Sequence, residues 1–132
     1  YRLFFYQVLV NSVRVFPDSD DLAEAMALRF REEAKQAARK NRIYSLVLTG
    51  GATVAKVYRL FAVPRFGDEI PWESAHLFCT DERCVPPESV EGNFGTAYRA
   101  FLHAILIPDE NVHRIWGEED PVNEADRYAS EI

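Results

Sequence analysis

Two short polar segments of this sequence could take part in chemistry, and each follows an apolar run. Residues 49–53 read TGGAT after the run IYSLVL, and residues 81–83 read DER after AHLFC and one threonine. In parallel α/β sheets, ligands bind at the carboxyl ends of the strands. If both runs are strands of one such sheet, the two segments are candidates for the same ligand site.

The TGGAT segment has the features of a backbone anion cradle. Gly50 and Gly51 allow positive φ and close backbone approach, and a helix that follows adds the positive end of its dipole. Thr49 and Thr53 could add hydroxyl donors, and Lys56, one turn into the helix, a charge. The alternative is an ordinary tight strand-to-helix turn, because the segment matches neither the dinucleotide fingerprint nor the P-loop.

The DER triplet allows two interpretations. Arg83 could hold a phosphate or carboxylate through two hydrogen bonds, and Asp81 could act as a base or orient a sugar hydroxyl. Alternatively, the triplet is a solvated surface segment, or Asp81 and Arg83 form an ion pair that anchors the loop. Charges beside a core strand need partners, because burying them unpaired is costly. The residues alone leave both interpretations open.

Alternating strand and helix patterns surround these segments. Apolar periodicity predicts strands over 13–16, 43–48, 75–79 and 112–116, and helices over 20–40, 54–62, 93–106 and 122–132. The run at 43–48 is typical of a strand buried on both faces of a parallel sheet. The alternation predicts an α/β domain, Rossmann-like, with a mostly parallel sheet and helices on both faces.

Residues typical of helix ends are predicted at three helix boundaries. Asp18 or Ser19 is expected to cap the first long helix, and Asn41 is a plausible end for it. Asn93 follows a glycine at the start of a helical pattern, so its default role is an N-cap.

Composition narrows the classes of function. Hydrophobic residues make up 48% of the 132 positions, which fits one globular domain. The net charge of −6 disfavours nucleic-acid binding, which needs a basic face. No apolar stretch approaches the roughly 20 residues of a membrane span, and the first ten residues lack the features of a signal peptide. Membrane and nucleic-acid partners are therefore not expected.

Cysteine and histidine usage predicts neither a disulfide framework nor a metal centre. Cys79 and Cys84 are too few for a framework and lack the CxxC spacing, so reduced cysteines in a cytoplasmic protein are expected. His76, His103 and His113 show no zinc-ligand spacing and belong to no Cys/His cluster.

With these segments in view, the sequence resembles the 6-phosphogluconolactonases, in the superfamily that also holds glucosamine-6-phosphate isomerase/deaminase. The resemblance runs from about residue 13 to residue 132. The family motif SGGSTP stands here as TGGATV, with Ala52 and Val54 as departures. The motif DERxVP stands as DERCVP, and Gly92-Asn93 replaces the Ser-Asn that follows it.

The resemblance implies hydrolysis of 6-phospho-D-glucono-1,5-lactone to 6-phospho-D-gluconate, in the oxidative pentose phosphate pathway, with no metal and no cofactor. It makes Asp81 and Arg83 catalytic residues that line the sugar site. It assigns substrate and phosphate binding to a larger set: Thr49, Gly50, Gly51, Ala52, Thr53 and Asn93.

Two other functions remain open at this stage. The isomerase branch normally has Asp-Glu-Tyr where this sequence has Asp-Glu-Arg, so Arg83 favours the lactonase branch. A sugar-phosphate-binding sensor module could be built on the same fold, because fold alone does not fix function.

One departure from the family concerns the base that activates water. Family members are longer and carry a later Gly-Asp-Gly-His segment, which is absent from residues 1–132. No catalytic role passes to the three histidines that are present. The expectation is a single α/β domain over 1–132 that is the N-terminal part of a longer lactonase, with 1–12 as a possible extension. The oligomeric state stays open.

Overall fold

Three parallel strands form the sheet of this chain, in the order β1-β2-β3, in a computed structural model that describes residues 13–132. In chain order the described part contains α1 (Ser19–Arg39), β1 (Tyr44–Leu48), α2 (Ala52–Phe61), α3 (Pro64–Gly67), β2 (Ala75–Cys79), α4 (Asn93–Ala100), β3 (Val112–His113) and α5 (Pro121–Glu131). The possible extension, residues 1–12, lies outside the described residues.

The register of the strands brings their carboxyl ends to one edge. Leu48 of β1 pairs with Cys79 of β2, so both strands end at the same level. Phe78 pairs with His113, the last residue of β3. The predicted α/β class and parallel sheet are confirmed, and the segments that follow β1 and β2 leave the sheet side by side.

An aromatic core lies between the sheet and the helices. The ring of Phe61 lies 5.0 Å from that of Phe30 and 5.3 Å from that of Phe101. Tyr58 of α2 packs on Phe101 at 5.4 Å, and Phe61 and Phe101 are among the largest fully buried side chains. Since α2 contributes two of these rings, the core fixes the helix that follows the TGGAT turn.

The boundaries of α1 follow the sequence prediction. The Asp18 carboxylate accepts hydrogen bonds from the amides of Asp20 and Asp21, at 2.8 and 2.9 Å, so Asp18 is the N-cap. Asn41, two residues after the end of α1, has a φ of 51°. This left-handed conformation ends the helix, as expected.

Three predicted elements differ in the structure. Residues 13–16 form no strand; Val13 and Val15 are exposed, and no strand of the described part pairs with them. The helix predicted over 93–106 ends at Ala100, because Phe101 leaves the helical conformation and enters the aromatic core.

The third difference is the length of β3, which covers two of the five residues predicted over 112–116. Beyond His113, the backbone groups of Arg114 and Trp116 bond to side chains of α5. The Trp116 amide donates to Glu124 Oε1 at 2.8 Å, and the Arg114 carbonyl accepts from Arg127 Nη2 at 2.9 Å.

The two faces of β1 differ in burial. Leu48 is buried, whereas Val47 is 53% exposed and Ser45 is exposed as well, so the two-sided burial predicted for this strand is wrong in the described part. Across the sheet, His113 stacks on Phe78 at 4.3 Å and its Nδ1 lies 2.8 Å from Glu131 Oε1. Helix α5 therefore reaches this face at β3.

None of the helices within residues 13–132 combines the length and the apolar character needed to cross a membrane.

Candidate functional site

The candidate site lies at the carboxyl edge of the sheet, where β1 and β2 end together. The Thr80 amide donates to the Leu48 carbonyl at 2.9 Å. This bond extends the pairing of the strands by one residue. The TGGAT turn and the DER triplet therefore begin from adjacent positions.

A buried tyrosine fixes the base of the TGGAT turn. The Tyr58 hydroxyl accepts from the Thr49 amide at 2.8 Å and donates to the Thr49 carbonyl at 2.9 Å. Burial raises the pKa of Tyr58, so the hydroxyl keeps its proton and can make both bonds. The turn is thus held by the helix that it introduces.

The start of α2 is open. Gly51 is the N-cap, with φ 130° and ψ 149°, and no side chain among the described residues caps the helix. Residues other than glycine rarely adopt this backbone conformation. The first-turn amides of Ala52 and Thr53 have no intrahelical acceptor, and both residues are exposed. This arrangement can bind an anion through the backbone.

Lys56 does not point into this turn. Its ammonium donates to Ser19 Oγ at 2.7 Å and pairs with Asp20 Oδ1 at 2.5 Å, which ties α2 to the start of α1. Lys56 therefore links α2 to α1 and does not supply the charge that the sequence suggested for the anion cradle.

The DER triplet forms an exposed ion pair. Arg83 Nη1 lies 2.9 Å from Asp81 Oδ2, and the two side chains are 58% and 51% exposed. Such a pair adds little stability. The ion pair that the sequence suggested is therefore present, and both groups remain accessible to a ligand.

Asp81 is held in its ionised form. The Thr80 hydroxyl donates to Oδ1 at 2.8 Å, and the Asn93 amide donates to Oδ2 at 3.2 Å. These bonds, with that from Arg83, lower the pKa of Asp81. A carboxylate of this kind is a good hydrogen-bond acceptor and a weak base, so the geometry favours orientation of a hydroxyl over proton abstraction.

Sequence reasoning missed the role of Glu82. Its Oε1 accepts from the amides of Arg83 and Asn93, each at 2.7 Å, and its Oε2 accepts from the Phe94 amide at 2.7 Å. Glu82 therefore caps α4 from another part of the chain. Only an indirect signal of this role is present in the sequence: the N-cap of α4 is Gly92, which has no side chain to cap the helix.

Asn93 is the first residue of α4 and not its N-cap. Its side-chain amide donates to the Asp81 carbonyl at 3.1 Å and to the carboxylate, away from its own helix. The predicted capping role is wrong, because Glu82 already binds the amides that an N-cap would serve.

Asn93 also joins the two segments. A Cβ built on Gly50 would lie 2.4 Å from Asn93 Oδ1, a distance that real Cβ atoms do not show. Only glycine fits at position 50 while Asn93 keeps this position. Gly50, Asn93, Asp81 and Arg83 thus form one continuous surface, and Ala52 and Thr53 extend from it along the first turn of α2.

A second tyrosine fixes the end of β2. The Tyr128 hydroxyl accepts from the Cys79 amide at 2.8 Å and donates to the Cys79 carbonyl at 2.9 Å. The sequence placed Tyr128 only on the apolar face of a helix, and no local pattern marks its partner 49 residues away.

The histidines form no metal centre in the described part of the chain. Between residues 13 and 132, no three His, Cys, Asp or Glu side chains are grouped so as to hold a metal ion. His76 Nδ1 and His113 Nε2 lie 2.9 Å apart on the face of the sheet that also carries Phe78.

The sequence of this chain matches a known protein family and individual proteins. The model of the family described as glucosamine-6-phosphate isomerases/6-phosphogluconolactonase matches residues 17–132. A 6-phosphogluconolactonase of Haemophilus influenzae is 35% identical over 85 residues, which are 64% of this chain and 37% of that protein. One of Treponema pallidum is 30% identical over 118 residues, 89% of this chain and 47% of that protein.

The solved structures give the same result for the fold. The crystal structure of 6-phosphogluconolactonase from Thermotoga maritima has a TM-score of 0.72 and 27% identity, over 83% of this chain and 48% of that one. The chain thus spans less than half the length of the relatives described here.

Proposed function

Because the chain belongs to the family of glucosamine-6-phosphate isomerases and 6-phosphogluconolactonases, we propose that the complete gene product hydrolyses 6-phospho-D-glucono-1,5-lactone to 6-phospho-D-gluconate. The observation that carries the proposal is the contact of Gly50 with Asn93, which joins the TGGAT turn and the DER triplet. A phosphorylated sugar ester requires an anion site and a polar sugar site side by side, and this contact is where the two meet.

The phosphate binds at the start of α2. The amides of Ala52 and Thr53 and the hydroxyls of Thr49 and Thr53 are the donors, and Gly50 and Gly51 let the backbone approach. The uncapped state of this helix supports the assignment. The other helix start at this edge, that of α4, already holds the Glu82 carboxylate.

Asp81 and Arg83 act on the sugar. Attack of water on C1 converts the carbonyl oxygen to an oxyanion, which the Arg83 guanidinium stabilises. The ionised Asp81 accepts a hydrogen bond from a sugar hydroxyl, and Asn93 fixes Asp81 through its bonds to the Asp81 carbonyl and carboxylate. Collapse of the intermediate breaks the bond from C1 to the ring oxygen, which takes up a proton.

The base that takes the proton of the water is not assigned to this chain. We propose that residues 1–132 are the N-terminal part of a longer lactonase, which supplies this base elsewhere. The matches to 37% and 47% of the two curated relatives support this view. The enzyme is proposed to act in the cytoplasm, without metal, cofactor, nucleic acid or membrane partner.

The test is an assay of the complete gene product with 6-phospho-D-glucono-1,5-lactone, measured against spontaneous hydrolysis. We expect catalysed ring opening by the wild type and none above background by Gly51→Val. The isolated 132-residue chain should bind 6-phospho-D-gluconate and scarcely accelerate hydrolysis. Ammonia release from glucosamine 6-phosphate would instead identify an isomerase, and binding without turnover by the complete gene product would identify a sensor.

A further inference from the structure

The start of α4 is occupied by a charge that belongs to the protein. Three backbone amides converge on the Glu82 carboxylate, each at 2.7 Å: those of Arg83, Asn93 and Phe94. A helix N-terminus favours a negative group, because its first amides lack intrahelical acceptors and its dipole is positive there. Glu82 therefore takes the place that a free anion could otherwise occupy.

The neighbouring helix start offers the contrast. Gly51 leaves α2 without a side-chain cap, and its first turn contains no acidic residue. The two helix starts meet where Gly50 contacts Asn93, so a phosphorylated ligand at this edge would face two similar sets of amides. A single carboxylate distinguishes them.

We propose that Glu82 is a positioning residue: its carboxylate fills the start of α4, directs the phosphate of the ligand to the start of α2, and holds Asn93 against Gly50. The inference rests on the proposed function for the identity of the ligand. It adds the residue that determines which way round the phosphosugar lies on the site.

Glu82 has this effect through its two oxygens. One oxygen links the tip of β2 to the first amide of α4, and the other binds the second amide, so the helix cannot shift without losing both. Asn93 is the first residue of that helix, and its side chain bonds to Asp81. Loss of Glu82 should therefore both loosen Asn93 and open α4 to an anion.

The test uses the isotopically labelled complete gene product, with inorganic phosphate and 6-phospho-D-gluconate as probes and backbone amide NMR shifts as the readout. In the wild type, both probes should shift the amides of Ala52 and Thr53, and inorganic phosphate should leave that of Phe94 unchanged. In Glu82→Ala, phosphate should also shift Asn93 and Phe94 in a saturable way. Affinity for 6-phospho-D-gluconate should fall about fivefold or more.

Asp18→Ala is the matched control. Asp18 also caps a helix with a carboxylate, through two amides at 2.8 and 2.9 Å, and α1 contributes no residue to the candidate site. This variant removes one charge and one cap, yet should keep the wild-type pattern of shifts. Equal behaviour of the Asp18 and Glu82 variants would overturn the proposal.

The remaining outcomes are also decisive. If Glu82→Ala loses affinity without a new response at Asn93 and Phe94, Glu82 is only structural and the proposal is wrong. If Glu82→Ala does not fold, Glu82→Gln takes its place, and the presence or absence of a phosphate response at Phe94 decides. If Ala52 and Thr53 never respond but Glu82→Ala gains the response at Asn93, the proposed function fails and the role of Glu82 stands.

Discussion

The starts of α2 and α4 lie at the same edge of the sheet and solve the same problem differently. Each helix begins with amides that need an acceptor. At α4 the acceptor is the Glu82 carboxylate, and at α2 no side chain of the described residues serves. A helix start that a protein leaves uncapped beside one that it caps is a candidate for binding a ligand, because the missing acceptor can come from outside.

The same contrast appears in what each segment tolerates. The turn before α2 depends on Gly51, because any other residue would be strained at its φ of 130°. The loop before α4 depends instead on the side-chain hydrogen bonds of Glu82 and Asn93. Changes at the first segment should therefore act through the backbone, and changes at the second through loss of a partner.

Gly51→Val should have the largest effect on ligand binding, because it alters the uncapped start of α2 that distinguishes this helix from α4. A Cβ on Gly51 meets no atom within 4 Å, so the damage comes from backbone strain, about 1–3 kcal/mol, and not from collision. We expect loss of 6-phospho-D-gluconate binding by calorimetric titration and a lower midpoint of thermal unfolding. Gly51→Ala should do nearly the same; wild-type binding by either variant would contradict the backbone cradle.

Gly50→Ala should weaken binding by about tenfold, because the new methyl group must displace Asn93 from a well-packed contact. The double variant with Asn93→Ala sharpens the test. Removing the Asn93 amide makes room, so Gly50→Ala should cost much less stability in that background, as measured by urea unfolding of all four proteins. Strictly additive losses would show that the two residues do not touch.

Tyr58→Phe tests how α2 holds its turn. The variant leaves the Thr49 amide and carbonyl without the buried hydroxyl, at a cost of about 1–3 kcal/mol. Binding of 6-phospho-D-gluconate should weaken by a few-fold. Tyr128→Phe is the matched control at β2: it should lower the free energy of unfolding similarly and affect phosphate binding less. The reverse order of the two effects would locate the phosphate at the DER triplet.

The lowered pKa of Asp81 predicts a small pH dependence of the free energy of unfolding. Its pKa is lower in the folded chain than in the unfolded chain, so the ionised carboxylate stabilises the fold at neutral pH. This contribution is lost as pH falls from the ordinary Asp pKa of about 4 through the lower folded value. Carboxylate NMR titration should give the depressed pKa. Asp81→Asn should flatten the pH dependence of unfolding in that range, and an unchanged profile would count against the bonds from Thr80 and Asn93.

Cys84→Ser should have the smallest effect. The thiol is exposed and lies one residue beyond Arg83, outside both sets of amides. We expect affinity for 6-phospho-D-gluconate within about twofold of the wild type, since surface substitutions away from key contacts change little. A larger loss would mean that the site extends to Cys84.

The sequence predicted what short-range patterns determine. The Asp18 cap and the Asn41 end of α1 depend on residues within one turn of the helix. The strands at 43–48 and 75–79 were located because their apolar runs stand between polar turns. The two motif segments were singled out before their contact was known.

The errors concern partners that are distant along the chain. Asn93 was predicted to cap α4, because nothing near it in the sequence shows that Glu82 binds those amides. The strand at 112–116 was predicted too long, because α5 competes for the backbone of Arg114 and Trp116. Tertiary contacts of this kind override local preference and leave no periodic signal.

The hydroxyl of Tyr58 has a consequence for how the molecule melts. Its ring packs on Phe101 in the aromatic core, and its oxygen holds the peptide at the base of the TGGAT turn. The turn cannot relax while that ring stays packed. Warming should therefore abolish ligand binding and the core's near-ultraviolet circular dichroism in one cooperative step, instead of releasing the loop first.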